Sequence, residues 1–448
     1  MKSFMVILSA LCAWVTLISS VTATKGVFCH YMVGGIEADQ AKTDVQDAKA
    51  MGIDAFALNV ATLDPWSNAA VQLLFDAADE NDFKLFFSFD MDHFSAPGQF
   101  LPLLLQWHAH DSYYVHDATG KPFVSTFYGG TLDFGYSSVN AGWQAEYKDA
   151  LSAMGIETYF VPAFSDASVA PDDFFDEFSV ADGVFNWDSW ANTTVGATVN
   201  AVIDRDYMAG AQAANKSFIM GISALQFKHL DTSDNWWRGG ALDLTDRIGQ
   251  VLELAPDYIE IQSWNDGGES HYIGNIWPYA IAASPEVKAQ ITGYDHAAFQ
   301  RPLTHLITAY KAGHADLSAA TPAAADALAD GVFWYHTLLT SADCAADPLG
   351  KPQGLDLVEN VVSVAIVLSA AAAAANATID VYSDDRLIGS EPAHPGLNAW
   401  SASGVRVGRQ RVEVRHRDGA LLVAATGNAS VVADADLCNY NFQVVELQ

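Results

Sequence analysis

The chain has 448 residues, half of them hydrophobic and 12% aromatic, with a formal net charge of −32. That length can bury a large core in two domains, and that apolar content excludes general disorder. The negative charge repels nucleic acid and anionic membrane, and suits an extracellular protein working on a neutral polymer.

The first residues read MKSFMVILSALCAWVTLISSVTATKG. One Lys, an apolar run and the small-residue site Val21-Thr22-Ala23 predict a secretory signal over residues 1–23. A membrane anchor is the alternative, but the run is short and broken by Ser and Thr. Four sequons, at Asn192, Asn215, Asn376 and Asn428, fit glycosylation of a secreted protein. Cys12 leaves with the signal, so Cys344 is expected to pair with Cys438 while Cys29 stays buried and free. No CxxC or HExxH motif is present, which argues against a structural or catalytic zinc. No cofactor is expected. A monomer is expected.

Nearly continuous apolar runs follow at residues 27–34, 53–60, 84–91, 122–130, 158–165, 183–189, 218–225 and 258–264. Such runs predict parallel strands covered on both faces. Helical patterns lie between them at 40–51, 69–80, 98–108, 141–154 and 242–254, with a further one at 302–312. Eight strands alternating with helices predict a (β/α)8 TIM barrel over residues 24–315. An open doubly wound sheet is the alternative. Against it, no GxGxxG follows an early strand, and polar or aromatic residues end nearly every run.

After about Gly313 the composition changes, and from 330 to 448 short alternating segments are separated by Gly, Asp and Asn turns. They predict a C-terminal antiparallel β-sandwich. The apolar, alanine-rich run 361–375 is too short to span a bilayer.

On such a barrel, function collects at the C-terminal ends of the strands. Those ends supply His30, Tyr31, Asn59, Asp90, Tyr128, Asp166, Asp188 and Trp190 as candidate substrate contacts. Asp64, Asp92, His93, Asn186, Trp187, Gln226 and His229 lie at the same ends. Trp237, in the plausible sugar-binding loop 236–240, joins the candidates with Trp264, His271 and Tyr272. Carboxylates mixed with tryptophans describe a carbohydrate site, because indole faces stack on sugar rings while acids and amides bind hydroxyls. Asp90 and Asp166 could instead cap the helices that follow them. The histidines show no ligand spacing and read as hydrogen-bonded groups rather than a metal set.

The stretch 258–272, YIEIQSWNDGGESHY, runs from an apolar strand into two acids, paired glycines and aromatics. Asp266 and Glu269 are the candidate catalytic acids, since glycosidic cleavage needs one proton donor and a second carboxylate. Spacing alone does not fix their separation. One acid could shape a turn while the other works with Asp90 or Asp188. No GxSxG elbow supports a serine hydrolase.

The blocks VFCHYMVG, GIDAFALNV, KLFFSFDM, KPFVSTFYGG, FNWDSW, NWWRGG and IQSWNDGGESHYIG resemble the fungal endo-α-1,3-glucanases, or mutanases, of glycoside hydrolase family 71. The resemblance covers residues 26–312 and continues more weakly beyond. It implies hydrolysis of α-1,3-glucosidic bonds in cell-wall or biofilm glucan with inversion and without metal, through acids matching Asp266 and Glu269. With the signal-like N-terminus, a secreted, extracellular or cell-wall enzyme is expected. Its longer reach favours Glu269 as acid and Asp266 as base. An inverting pair keeps its carboxyls roughly 6.5–9.5 Å apart. The rival expectations are a retaining hydrolase or transglycosylase on another α-glucan, and a catalytically silent glucan-binding protein.

Overall fold

The computed structural model describes residues 25–191, 198–324, 327–374 and 376–447. The expected signal segment and Asn192 lie outside the described residues. The eight barrel strands are Gly26–Met32, Ala55–Val60, Lys84–Asp90, Phe123–Phe127, Tyr159–Phe160, Gly183–Asn186, Ser217–Ser223 and Tyr258–Gln262. They form one sheet, and the first strand pairs in parallel with both the second and the eighth. The seam between the fifth and sixth is bridged by Asp182 N–H to the Phe160 carbonyl (2.7 Å) and Phe185 N–H to the Pro162 carbonyl (3.0 Å). The result is the expected (β/α)8 barrel.

The fifth strand is much shorter than the run 158–165 predicts. Pro162 has no N–H for the ladder and interrupts it, although Val161 and Ala163 still donate to Val124 and Thr126 at 2.9 Å. The helices Ala38–Met51, Pro65–Asn81, Leu101–Trp107, Asp243–Leu254 and Gln300–Ala312 stand close to their predicted places. Gly52 ends the first of these at φ +90° and donates to the Lys49 carbonyl at 3.0 Å, a left-handed cap that glycine adopts without strain. The stretch 141–154 is not one helix: it is α-helical over Val139–Trp143, widens into a π-helical turn over Gln144–Asp149, and finishes at Ala150–Ser152. Trp143 and Tyr147 both rest on Phe160 there. The helix Val202–Ala214 has no counterpart in the sequence reading. It buries only Asp204, Gly210 and Ala211, so it carries no apolar stripe to reveal it.

The C-terminal region holds two four-stranded antiparallel sheets. One orders Gly396–Ser403, Val361–Leu368, Ala329–His336 and Phe442–Leu447; the other orders Arg386–Pro392, Thr378–Ser383, Gln410–Arg415 and Leu421–Thr426. All eight residues of Ala329–His336 and of Val361–Leu368 are buried. The period-two rule explains why. Val332 and Trp334 face the barrel and share its core, while Phe333 and Tyr335 face the second sheet. The apolar run 361–375 thus begins as a strand buried on both faces. Cys344 and Cys438 are disulfide-bonded, with Cα atoms 5.5 Å apart, and Cys29 is a buried free thiol in the barrel. Among the described residues no helix is long and apolar enough to cross a membrane.

Candidate active site

The rim of the barrel surrounds a cleft of about 500 Å³. Its floor comes from the end of the eighth strand. After Gln262 the chain makes a two-residue antiparallel pair, Asn265–Asp266 against His271–Tyr272, joined through Gly267 and Gly268. Residues opposite one another in such a pair share a face. Asp266 and His271 therefore point together into the cleft, and Asn265 and Tyr272 point away from it. Ser263 Oγ accepts from the Asp266 N–H (2.8 Å), and Asp266 Oδ1 accepts from the Glu269 N–H (3.1 Å). These bonds fold the acidic loop back over itself and bring Glu269 to the same cleft.

One oxygen each of Asp266 and Glu269 and one ring nitrogen of His271 lie within 4.8 Å of one another. Removal from water, and then the facing Glu269 charge, raise the Asp266 pKa to about 7. Glu269 is held differently. Its Oε1 lies 3.2 Å from Lys228 Nζ, and its Oε2 accepts from Gln226 Nε2 at 2.5 Å. Burial lowers the Lys228 pKa, but Glu269, Asp234 and Asp266 outweigh it and raise the ammonium above its ordinary value. The set has donors enough for a cation, and Lys228 already brings positive charge to it. Burial pushes the His271 pKa down to about 3, with His30 and Arg238 adding to the shift. His271 is therefore a neutral imidazole, bonded through Nε2 to Ser223 Oγ at 2.6 Å.

Lys228 and Gln226 belong to a hairpin, Gln226–His229 with Asn235–Arg238, that follows the seventh strand. The pairs Gln226/Arg238 and Lys228/Trp236 face the cleft. Arg238 donates to Gln226 Oε1 (3.3 Å) and lies over the rings of Trp236 (4.4 Å) and Trp190 (5.5 Å). Across the cleft, Trp187 meets His30 edge-on at 4.8 Å and Phe127 at 4.8 Å, and Tyr128 stacks on Phe127 at 4.0 Å. Burial raises the pKa of both Asp90 and Asp188. Beneath them His30 Nδ1 bonds Glu260 Oε1 at 2.7 Å, with both side chains buried.

Of the candidates read from sequence, Asp266, Glu269, His30, Asn59, Asp90, Tyr128, Asp188, Trp190 and His271 line this cleft. Five others do not. Tyr31 follows inward-facing His30 on its strand, so it points outward, and its hydroxyl donates to Asp44 of the first helix at 2.9 Å. Asp166 ties down the loop after the fourth strand, accepting from Gly130 N–H (2.8 Å), Gly129 N–H (3.3 Å) and the Thr131 hydroxyl (2.9 Å). Trp237 lies on the back of the hairpin against His336 and Phe442. Trp264 is fully buried beside Phe56, packed so closely on Gly274 that a Cβ there would sit 2.2 Å from the indole. Tyr272 stacks on His296 and donates to the Tyr294 carbonyl at 2.6 Å. Lys228, Ser263, Asp234 and Ser165 line the cleft and were missed. The alternation in QFKH and NWWR around a short polar turn is the hairpin signal that points to Lys228.

A (β/α)8 barrel carrying two close carboxyls in an aromatic-walled cleft, one of them poised near neutrality, has the apparatus of a glycosidase. Comparison with known proteins makes this specific: residues 23–448 match Glycosyl hydrolase family 71, and the chain belongs to that family. It is 35% identical over 360 residues to the glucan endo-1,3-alpha-glucosidase agn1 of Schizosaccharomyces pombe, covering 79% of this chain and 80% of that protein. It is 30% identical over 439 residues to a mutanase of Penicillium rubens, covering 95% and 89%. An ascus wall endo-1,3-alpha-glucanase of S. pombe is 29% identical, covering 76% and 78%.

Proposed function

We propose that this glycosidase hydrolyses α-1,3-glucosidic linkages of fungal cell-wall or related α-glucan, as a secreted monomer acting outside the cell or in the wall. The α-1,3-glucanase relatives support that substrate, and the signal-like N-terminus and the ascus-wall relative support that location. The observation that carries the chemistry is the unequal setting of the two acids. Asp266 is raised to about 7 by burial and by Glu269, whereas Glu269 is held by Lys228 and Gln226.

In the reaction, protonated Asp266 gives its proton to the glycosidic oxygen as the bond to C1 breaks. Glu269 takes a proton from the water whose oxygen bonds C1 on the opposite face. Atoms balance as one water consumed for two sugar ends released. This reverses the assignment that side-chain length suggests, because burial rather than reach decides which acid keeps its proton. The nearest oxygens of the pair lie within 4.8 Å. That leaves the carboxyl carbons at most about 7 Å apart, which overlaps the lower end of the inverting span and also includes retaining separations of about 5–5.5 Å.

Proton NMR of the first-formed sugar separates these: β product from the α linkage is the inverting outcome, and α product removes it. Roles are read from rescue. Asp266→Asn should recover on an α-glucoside with an activated leaving group, and Glu269→Gln should recover with azide. The opposite pattern would exchange the two acids.

A further inference from the structure

The hairpin that carries Lys228 and Gln226 has a second face, and the sandwich grips it. Phe227, His229, Asn235 and Trp237 point away from the cleft, as strand alternation demands. His229 Nε2 bonds Asp347 Oδ2 of the sandwich at 2.7 Å, with both side chains about 1% exposed. The same Asp347 oxygen accepts from the Cys438 N–H at 2.7 Å, next to the Cys344–Cys438 disulfide. Asn235 Nδ2 donates to the Leu349 carbonyl at 2.9 Å. Main-chain bonds from Trp237 N–H to the Gln353 carbonyl (2.8 Å) and from Gln353 N–H to the Asn235 carbonyl (3.0 Å) lay the sandwich loop along the hairpin edge like an added strand.

A second buried hub joins the hairpin to the acidic loop. Gln290, on the helix Pro285–Ile291, accepts from His229 N–H (2.7 Å) and donates towards the Phe227 (3.1 Å) and Gly268 (3.1 Å) carbonyls and Ser270 Oγ (2.8 Å). Asn439 of the sandwich donates to the Gln290 carbonyl at 2.7 Å. Phe227 N–H donates to the Glu269 carbonyl at 2.8 Å. Every side-chain contact that Glu269 makes with Lys228 and Gln226 therefore rests on a hairpin whose back is held by the sandwich.

We propose that the sandwich loop 344–353 is a strut for the catalytic cleft, with Asp347 as the positioning residue that sets Lys228 and Gln226 against Glu269. The sandwich is then a working part of the active site rather than a tether. This rests on the reading of Glu269 as a catalytic acid or base. Asp347 touches no substrate; it acts through His229 and the hairpin.

The test compares Asp347→Ala, Lys228→Met and the double variant in the full chain, using soluble α-1,3-linked glucose oligosaccharides. Asp347→Ala should lower kcat by about 10- to 100-fold, the cost of displacing a catalytic group by an ångström or less. KM should change less than kcat, because Trp236 stays on the hairpin and the walls of Trp187, Trp190 and Tyr128 are untouched. The double variant should be no worse than Lys228→Met alone, since both changes remove one contact. A folded Asp347→Ala with normal kcat, or losses that multiply in the double variant, overturns the strut. Circular dichroism checks folding. If Asp347→Ala does not fold, Gln353→Pro removes one main-chain donor at an exposed position and should give a smaller kcat loss with the same split; normal kcat there overturns the proposal. Glu269→Gln runs beside them. Full activity in that variant defeats the catalytic reading itself, whereas an inactive Glu269→Gln beside a normal Asp347→Ala defeats only the strut.

Discussion

Asp266 and Asp347 are both withdrawn from water, yet their carboxyls move in opposite directions. Burial and the facing Glu269 raise Asp266, which accepts one main-chain N–H. Burial also opposes the Asp347 charge, but the N–H groups of Cys438 and Leu349 and the ring of His229 outweigh it and hold the pKa low. At the barrel–sandwich contact Asp347 is paired with both the His229 ring and the Cys438 N–H. In the cleft, Asp90, Asp188 and Asp266 are all raised. Under-compensated acids are tolerated in the open cleft, and the compensated one holds the scaffold behind them.

The contrast breaks hardest at the proposed catalytic pair. Glu269→Gln and Asp266→Asn should each lower kcat on α-1,3-glucan by on the order of 10²–10⁴-fold with the circular dichroism spectrum unchanged. Activity within a fewfold of normal in either would erase the distinction. On the scaffold side, Asp347→Ala should lose about 1–3 kcal/mol in urea melts at pH 7, because it strands the His229 ring and the Cys438 N–H. Its sign with pH follows from a lowered folded pKa. The stabilisation is present above the unfolded value of about 3.9 and fades as pH falls through the folded one, so wild type and variant should converge in acid.

Smaller effects sharpen the picture. Trp190→Ala or Trp236→Ala should raise KM for long glucan by up to about tenfold, the worth of one lost ring contact of about 0.5–1.5 kcal/mol. The last effect is on stability rather than activity. A raised Asp266 means the folded state holds its proton longer, so wild-type stability falls as pH climbs from about 4 towards 7. Asp266→Asn should be more stable than wild type above pH 7 in thermal melts and no more stable at pH 4.

The same physics decides what was legible in the sequence. The barrel could be read because strands covered on both faces give continuous apolar runs, as in Ala55–Val60, all of it buried. That continuity also hides direction. In His30-Tyr31 nothing in the sequence says which residue faces inward, and Tyr31 went to the helix layer. Trp237 and Tyr272 were misplaced for a related reason: their faces are set by cross-strand register, Phe227 opposite Trp237 and Asn265 opposite Tyr272. Asp166 ends a strand run as Asp90 does, but three donors of one loop claim it. That Asp266 and Glu269 share one cleft was legible only with the help of the family resemblance, because spacing alone left a turn-forming role open for one of them. Their unequal settings were not, since Lys228 reaches Glu269 from a hairpin some forty residues away.

The most direct test is the release of reducing ends from α-1,3-glucan, beside α-1,4- and β-1,3-glucan, by wild type and by the double variant Asp266→Asn/Glu269→Gln. Wild type should cleave the α-1,3 polymer in preference to the other two, and the folded double variant should release nothing above background. Cleavage that survives the double variant, or a wild type inert on α-1,3-glucan and active on another, would contradict the account.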